Sequence, residues 1–476
     1  MKLKLIYLIV LLTFSCAAPQ QETIQSPPNI LFIFADDQTF HSINALGNKE
    51  VITPNLDRLV QRGTTFTRSY NMGGWHGAVC VASRTMLFTG KFIWDAHQAD
   101  SLMRENAYQE PLLSELMERA GYDTYMSGKW HIAQEADSVF KVARHIRPGM
   151  PNQTESGYNR PKSEQDTSWL PWDKSKEGFW KGGKHWSEVL KDDALDYLGM
   201  TKQQENPFFM YLAFNAPHDP RQSPIEFVEK YPLENVAVPA NYLPEYPYKE
   251  EMGSGEKLRD ERLAPFPRTE HAVKVNRQEY YALITHLDEQ IGKILDALEA
   301  SGKADNTYIF FSADHGLSVG QHGLLGKQNM YEHSMRAPLI VAGPDIPAGK
   351  RIETPVYIQD IMPSILELGN VEKPASVDFK SLLPLAKGTQ VDNQYDVVYG
   401  VYMMRQRMIV KDNMKLIAYP EANVLRLYDL DKDPLEMNDL AGQEAYFKKK
   451  QELLEALKRL QTGMKDDLVL DTESLL

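Results

Sequence analysis

The sequence predicts an α/β fold in which a mostly parallel sheet is followed by a smaller antiparallel unit at the C-terminus. Residues 29–34 are continuously apolar and rich in β-forming types, as in a strand that is buried on both faces. Residues 277–300 have the period of an amphipathic helix and lead into a β-prone run at 308–312, which is the alternation of a β-α-β unit. From about residue 389, short β-prone runs alternate with turn residues, which is typical of antiparallel strands.

Caps and breakers predict the other elements in chain order. Thr53 and Pro54 have the residue types of a helix start, and this helix is predicted to end at Gly63. A further helix is predicted at 111–120 and a strand at 208–214. The C-terminal unit is predicted to contain strands at 397–402, 407–411, 415–419 and 428–430, and a packing helix at 445–460.

Length and composition limit the class of protein. The 476 residues suffice for two or three average domains, or for one large α/β domain with an appendage. An apolar content of 42% and a charged content of 25% are ordinary for a globular protein. The net charge of −13 argues against a nucleic-acid partner, because phosphate binding needs a basic face. An anionic substrate would therefore need local positive charge.

The N-terminus has the pattern of an export signal. Lys2 and Lys4 precede an apolar run at 5–14 that is too short to span a bilayer as a stable anchor. We therefore predict a signal peptide at 1–16 and a linker at 17–28, with export to the periplasm. Cys16 lies where bacterial lipoprotein signals carry their acylated cysteine, which favours an outer-membrane-anchored lipoprotein over a plain periplasmic or secreted protein. A lipid anchor would be the protein's contact with the membrane.

Carboxylates follow two of the predicted strands. Asp36 and Asp37 come directly after the first strand, and Asp314 and His315 come after the strand at 308–312. Adjacent carboxylates repel each other unless a cation lies between them, and open α/β sheets bind ligands at the carboxyl ends of their strands. A helix-capping turn would explain one aspartate but not the pair. The sequence therefore predicts a site for a hard cation. Such a cation prefers oxygen ligands, so the ring nitrogen of His315 would be an unusual ligand for it.

Cys80 begins the run Cys-Val-Ala-Ser-Arg, which precedes a helical stretch at 85–88. The N-terminus of a helix favours an anion, so a cysteine at this position indicates a chemical role. A buried structural thiol is the alternative, because free cysteine is common in protein cores. The chain's other cysteine lies in the predicted leader, so we do not expect the two to pair.

Basic and imidazole side chains occupy further turns. Lys129 and His131 share one face if their stretch is extended, so that an ammonium and an imidazole point together. His218 lies between Pro217 and Pro220, which hold it rigidly, as suits a proton donor to a leaving group.

Four residues are candidates for contacts with a substrate. Trp75 and His76 lie in a glycine-rich stretch before the cysteine and are interpreted as the floor of a pocket, with ordinary packing as the alternative. Asp219 and Arg221 follow the proline-flanked histidine and are candidates to hold hydroxyl groups or an acidic group.

The stretch 136–187 has little periodicity and is rich in tryptophan. Long loops in enzymes are usually functional, and exposed aromatic rings stack on sugars. A structural insertion is the alternative reading of this stretch, whose tryptophans are Trp169, Trp172, Trp180 and Trp186.

From residue 29 to about residue 440 the sequence resembles the formylglycine-dependent (type I) sulfatases of the alkaline-phosphatase superfamily. Their signature is Cys or Ser, any residue, Pro or Ala, Ser and Arg, followed within a few residues by Thr-Gly. The matching residues are Cys80, Ala82, Ser83, Arg84, Thr89 and Gly90. The other motifs occur in family order and are Asp36-Asp37, Gly-Lys-Trp-His at 128–131, Pro217-His218, Asp314-His315 and the glycine-rich loop that ends in Lys327.

This resemblance implies a fold and an activity. The fold would be a large mixed, mostly parallel sheet sandwiched by helices, in a catalytic domain at 29–388 with a C-terminal α/β subdomain at 389–476. The activity would be hydrolysis of sulfate esters, and for an exported bacterial protein we expect the substrate to be a sulfated sugar within a glycan. The partners would be this sulfated carbohydrate and the maturation enzyme that oxidises Cys80 to formylglycine.

The resemblance also implies a role for each motif residue. A calcium ion would be held by Asp36, Asp37, Asp314, an oxygen of the modified Cys80 and, less regularly in the family, His315. The hydrated aldehyde at position 80 would be the nucleophile. Arg84 would orient the hydrate, Lys129 and Lys327 would bind sulfate oxygens, His218 would protonate the leaving alcohol, and His131 would assist the hydrate.

Two other functions remain open at this point. Relatives use the same aldehyde on phosphorus, so a phosphonate or phosphate ester hydrolase is the nearest rival. A non-catalytic glycan-binding lipoprotein is the rival from another class. A binder has no need for a proton donor beside a nucleophile, which argues against the second rival.

Overall fold

The computed structural model describes residues 27–152, 155–390, 393–471 and 475. The predicted signal peptide, Cys16 and most of the predicted linker lie outside the described residues. The strands are β1 Asn29–Ala35, β2 Thr64–Phe66, β3 Ser69–Tyr70, β4 Gly73–Gly74, β5 Asp123–Lys129, β6 Val142–Arg147, β7 Phe208–Ala213, β8 Thr307–Ala313, β9 Leu339–Ala342, β10 Lys350–Ile352, β11 Val356–Tyr357, β12 Val398–Tyr402, β13 Gln406–Lys411, β14 Met414–Tyr419 and β15 Val424–Asp429. The helices are α1 Pro54–Arg62, α2 Val79–Thr89, α3 Ile93–Arg104, α4 Leu113–Arg119, α5 Ala136–Val139, α6 Trp186–Thr201, α7 Ile225–Val228, α8 Glu270–Ala300, α9 Glu332–Met335, α10 Ile361–Leu368, α11 Leu383–Lys387 and α12 Phe447–Met464.

A large mixed sheet forms the centre of the molecule. Its strand order is β10-β2-β9-β8-β1-β7-β5-β6. Strand β9 runs antiparallel to β2 and β8, and the other neighbouring pairs are parallel. The predicted α/β fold with a mostly parallel sheet is therefore confirmed.

Strand β1 lies in the middle of this sheet, between β8 and β7. All of its residues are buried, as its unbroken apolar sequence predicts for a strand covered on both faces. Leu31 pairs with Ile309 on one side and with Met210 on the other. This register makes the three strands end at the same edge of the sheet.

Helices bury apolar stripes in the same core. The predicted helix at 277–300 is part of α8, which begins earlier because Thr269 caps it by accepting a hydrogen bond from the backbone N–H of Ala272 at 3.1 Å. Leu283, Leu287 and Ile291 of this helix are fully buried in the core of the large sheet. Within the described part of the chain, no helix is both long enough and apolar enough to cross a bilayer.

The C-terminal unit has the predicted antiparallel strands, except that β15 begins at Val424, four residues before the predicted run at 428–430. Strands β12 to β15 form an antiparallel meander, and helix α12 packs on it through Leu453, Leu454 and Leu457. The domain boundary after residue 388 stays a prediction.

One strand of this smaller sheet was not predicted. Strand β4, the pair Gly73–Gly74, lies parallel to β12 and completes the order β15-β14-β13-β12-β4. The C-terminal sheet therefore extends onto the segment that leads into Cys80. Gly73 permits this pairing because a Cβ on it would lie 1.8 Å from the Val401 carbonyl oxygen.

The tryptophan-rich stretch 136–187 contains α5, β6 and short 3₁₀ turns. Trp169, Trp180 and Trp186 are buried, and a basic side chain covers each ring: Arg160, Lys174 and Arg147 respectively. These three rings therefore have packing roles, as the reading of this stretch as a structural insertion expects. Trp172 is half-buried.

We predict that Gly73→Ala destabilises the protein far more than Gly121→Ala. Both glycines have a left-handed φ, of 92° and 89°, but a Cβ on Gly121 would meet no atom of the described residues within 4 Å. The φ strain costs about 1–3 kcal/mol in either variant, and overpacking against Val401 adds about 1–3 kcal/mol in the first. The midpoints of urea unfolding of the purified variants measure the difference. Equal midpoints would contradict the close contact between β4 and β12.

Candidate active site

Four neighbouring strands deliver the candidate residues to one edge of the large sheet. These strands are β8, β1, β7 and β5, and they run parallel to one another. The residues at or after their carboxyl ends are Asp314 and His315 (β8), Asp36 and Asp37 (β1), His218 (β7), and Lys129 and His131 (β5). This is the edge at which open α/β sheets bind ligands.

Helix α2 places Cys80 over this edge. Cys80 is the second residue of the helix and is buried, with 2% of its surface exposed. The Ser83 hydroxyl donates to the Asp314 carbonyl at 2.8 Å, and Arg84 Nε donates to Asp314 Oδ2 at 3.1 Å. The two motif residues after Cys80 thus hold the N-terminal turns of the helix against the end of β8.

The carboxylates form a compact buried cluster with Cys80. One ligand atom from each of Asp36, Cys80, Asp314 and His315 lies within 4.8 Å of the others, and the same holds for Asp36, Asp37, Cys80 and His218. Among the described residues, Asp36 Oδ1 is buried and accepts no hydrogen bond, although Arg84 Nη2 lies 3.9 Å from it. A buried carboxylate oxygen without a donor is costly unless a cation compensates it. The site therefore fits a hard, oxygen-bound cation.

The orientation of His315 suits a fifth ligand. Its Nδ1–H donates to the Gly316 carbonyl at 2.8 Å, which leaves Nε2 facing the cluster. Nε2 lies 3.2 Å from Asp37 Oδ1 and 3.4 Å from Cys80 Sγ. Burial lowers the pKa of His315, but Asp314 and Asp37 outweigh it and raise this pKa to about 9, so the ring must lose its Nε2 proton before that nitrogen can bind a cation.

Two buried lysines offset part of the negative charge. Lys129 Nζ donates to Asp36 Oδ2 at 2.5 Å, and Lys327 Nζ contacts both oxygens of Asp37 at 2.9 and 2.8 Å. Burial and Asp314 still raise the pKa of Asp36 well above its ordinary value. The two ammonium groups therefore lie in the same small volume as the carboxylates. An anionic group that entered this volume would contact both ammonium groups.

Electrostatics favour an anion at position 80. Burial raises the pKa of the Cys80 thiol, but Lys129, Lys327 and His315 outweigh it and hold this pKa well below its ordinary value.

The two other histidines flank the cysteine. His218 Nδ1–H donates to the backbone carbonyl of Asp219 at 2.8 Å, so that its Nε2 faces the site, 3.0 Å from Lys327 Nζ. Burial lowers the pKa of His218, whereas Asp37 and Asp219 raise it, and the result lies well above the ordinary value. His131 lies next to the Cys80 thiol, and burial lowers its pKa.

A cavity of about 430 Å³ opens over Cys80. The end of the cavity at the sheet edge is lined by Cys80, His131, His218 and Lys327. Its mouth is lined by Gly77, Ala78, Gly149, Met150, Leu258, Arg259, Asp260 and Gln328.

The four predicted substrate contacts are all described, and none of them lines this cavity. Trp75 is buried and stacks on His97 with ring centroids 5.1 Å apart. His76 is half-buried and accepts a hydrogen bond from the Ala78 N–H.

The other two candidates lie behind the cavity wall. Asp219 Oδ1 lies 3.0 Å from His218 Nδ1, on the side of that ring away from Cys80. Arg221 is buried and donates to Asn276 Oδ1 at 2.7 Å. Their predicted contacts with a substrate stay predictions.

Sequence reasoning missed the residues at the mouth. Arg259 and Asp260 come from a stretch without helical or strand period, and Gly149 and Met150 follow the unpredicted strand β6. The one available signal was the charged run Arg-Asp-Glu-Arg at 259–262.

The class of protein follows from comparison with known families. The sulfatase family model matches residues 28–371, so the chain belongs to the sulfatase family and is a sulfuric ester hydrolase. A second model, for the C-terminal region of N-sulphoglucosamine sulphohydrolase, matches residues 320–463.

Individual relatives cover almost the whole chain. An N-acetylglucosamine-6-O-sulfatase of Bacteroides thetaiotaomicron is 27% identical over 530 residues, which cover 95% of this chain and 89% of the relative. A sulfatase of Formosa agariphila is 28% identical over 492 residues, with 96% and 92% covered.

Solved structures share the fold. A protein in complex with its substrate D-glucosamine-2-N,6-O-disulfate has a TM-score of 0.69 at 23% identity, with 93% of this chain and 99% of that chain covered. The phosphonate monoester hydrolase of Agrobacterium radiobacter has a TM-score of 0.71 at 21% identity, with 92% and 96% covered.

We predict that Gly149→Ala lowers kcat/KM for an aryl sulfate about 10- to 100-fold, because displacing a positioned group by about 1 Å has effects of this size. A Cβ on Gly149 would lie 2.2 Å from Cε1 and 2.4 Å from Nε2 of His131, so the imidazole must move. Gly199→Ala is the control, because a Cβ there meets nothing within 4 Å. Steady-state release of 4-nitrophenol from 4-nitrophenyl sulfate provides the measurement. Unchanged kinetics in Gly149→Ala would show that the position of His131 does not matter.

Proposed function

We propose that this protein hydrolyses sulfate esters on a sugar of a sulfated glycan, using a formylglycine formed from Cys80 and a bound calcium ion. The observation that carries the proposal is the position of Cys80, at the start of a helix and within a cluster of three buried aspartates, two buried lysines and His218. A thiol that served only for packing would not require this concentration of charge.

The aspartates Asp36, Asp37 and Asp314 would hold the cation, with His315 Nε2 and the side chain at position 80 completing the donor set. Calcium fits because carboxylate oxygens dominate the set. When bound, the ion would neutralise sulfate charge and the negative charge that develops at position 80.

The hydrated aldehyde would supply the nucleophile at position 80: one of its hydroxyl oxygens would bond to sulfur as the bond from sulfur to the sugar oxygen breaks. Lys129 and Lys327 reach the volume between the carboxylates and Cys80, so they would bind the sulfate oxygens. His218 presents Nε2 to the cavity and would give its proton to the oxygen of the departing alcohol as the S–O bond breaks. His131, beside position 80, would take the proton of the second hydroxyl, so that sulfate leaves and the aldehyde is regenerated.

A sugar substrate is supported by three observations. One relative is named as an N-acetylglucosamine-6-O-sulfatase, and one similar structure was solved with a sulfated glucosamine. Arg259 supplies an exposed guanidinium to the cavity lining, and a hydroxyl of a sugar ring could accept a hydrogen bond from it. We also propose that the chain is exported and lipidated at Cys16, which would place it where polysaccharides occur.

The function is tested by measuring sulfate release from N-acetylglucosamine sulfates and phosphate release from the matching phosphate esters. We expect the sulfates to be hydrolysed faster, because both sets present the same alcohol and differ only in the transferred group. Cys80→Ala should release neither product. Faster hydrolysis of the phosphates would favour the phosphonate or phosphate ester hydrolase.

Mass spectrometry of the peptide that contains position 80 provides a second test of the proposed function. Active preparations should carry formylglycine there. Full activity with only an unmodified thiol would remove the proposed nucleophile.

We predict that a chelator abolishes turnover and that calcium restores it better than zinc, because Asp36, Asp37 and Asp314 offer hard oxygen ligands. The same titration should raise the melting temperature, since an ion that binds only the folded state stabilises it. Asp314→Asn should weaken both effects. Restoration by zinc alone, without a calcium-dependent rise in melting temperature, would contradict the assignment.

A further inference from the structure

Arg259 is the cation at the mouth of the cavity over Cys80. Its side chain is 39% exposed, whereas Lys327 and His218, the other lining side chains that carry positive charge, are buried and lie near Asp37. Arg259 can therefore reach a part of the substrate that lies outside the sulfate-binding end.

Two carboxylates fix this guanidinium in place. Its Nε and Nη2 both donate to Asp260 Oδ1, at 2.9 and 2.5 Å, and Nη2 lies 3.7 Å from Asp219 Oδ1. Asp260 is itself buried and accepts a hydrogen bond from Gln328 Nε2 at 2.8 Å. The guanidinium is thus held on a rigid support before any substrate arrives.

Within the described part of the chain, one edge of the guanidinium has no strong acceptor. Its Nη1 contacts the thioether sulfur of Met150, another residue of the cavity lining. A thioether is a weak acceptor, so the two Nη1 hydrogens remain suited to an oxygen of a ligand. Met150, with its flexible side chain, can yield this position.

The surrounding charge selects the kind of oxygen. Asp260 and Asp219 already balance the guanidinium, and a second anionic group of the substrate would approach both carboxylates. A neutral hydroxyl avoids this repulsion and can accept from Nη1.

We propose that Arg259 is the specificity-determining residue of this site, where it donates from Nη1 to a hydroxyl of a sugar that carries one sulfate and no further charge. This inference rests on the proposed glycan substrate. It assigns sugar recognition to the irregular segment 258–260 instead of to Arg221, whose guanidinium is buried against Asn276.

The test uses the full chain with formylglycine and calcium in place. The probes are galactose and N-acetylglucosamine monosulfates with the sulfate at O3, O4 or O6, glucosamine-2-N,6-O-disulfate, and 4-nitrophenyl sulfate. We expect Arg259→Ala to lose about 10- to 100-fold more kcat/KM on the best monosulfate than on the aryl sulfate, mainly through KM, as for a lost hydrogen bond to a charged donor. The native protein should prefer that monosulfate to the disulfate.

Arg262→Ala is the matched control. Arg262 lies in the same segment and is also 39% exposed, but it pairs with Glu155 and does not line the cavity. Its kinetics should equal those of the native protein on every probe. Arg259→Lys keeps the positive charge but loses the planar guanidinium, so its kcat/KM on sugar sulfates should lie between those of Arg259→Ala and the native protein. This variant also replaces Arg259→Ala in the test if Arg259→Ala does not fold.

Three results would overturn the inference. Equal losses on sugar and aryl sulfates would show that Arg259 acts through Asp260 and Lys327 on the chemistry. Unchanged sugar kinetics in Arg259→Ala would remove the contact. A native protein that cleaves the aryl sulfate but no sugar would overturn both the glycan proposal and this inference. The first two results would overturn only this inference and leave the glycan proposal standing.

Discussion

The guanidinium of Arg84 is the interaction on which the site depends. It is fully buried, and it contacts residues in or directly after four strands: Asp314 after β8 at 3.1 Å, the Lys129 carbonyl of β5 and the Tyr211 hydroxyl of β7 at 3.0 Å each, and Asp36 after β1 at 3.9 Å. Removing one partner of a buried charged pair costs about 3–5 kcal/mol. Because Arg84 lies one helical turn after Cys80, the same contacts that offset the charge of the carboxylates also fix the position of residue 80.

Buried negative charge explains why distant segments converge on this edge. The ends of β1 and β8 supply three carboxylates, and the compensating ammonium groups come from β5 and from the loop that carries Lys327. The C-terminal sheet contributes from outside: Lys415 of β14 is fully buried and bonds Glu332 at 2.9 Å, next to the loop of Lys327. Strand β4 links the same sheet to the segment before Cys80.

The predictable part of the site is the part that local sequence determines. Asp36, Asp314 and Lys129 follow or end apolar strands, and Cys80 begins a short motif, so each could be found from its neighbours in the chain. Strand β4 could not, since two glycines have no strand signal and their pairing with β12 is a long-range contact. Burial separates Arg221 from Arg259: both are arginines in irregular segments, but only Arg259 is placed on the cavity by tertiary packing.

The site therefore has two layers with different physical origins. The deep layer is a set of buried charges that must balance one another, so a change in any one of them disturbs the rest. The mouth includes two loop segments, 149–150 and 258–260, that pack against the deep layer. Loops on a rigid scaffold can change without disturbing the core, and substrate choice is commonly found there. In this chain, Asp260 joins the layers, because it holds Arg259 at 2.5 Å and lies 3.6 Å from Lys327. Under the roles proposed above for Arg259 and Lys327, recognition of the alcohol and binding of the sulfate would be coupled through this one buried carboxylate.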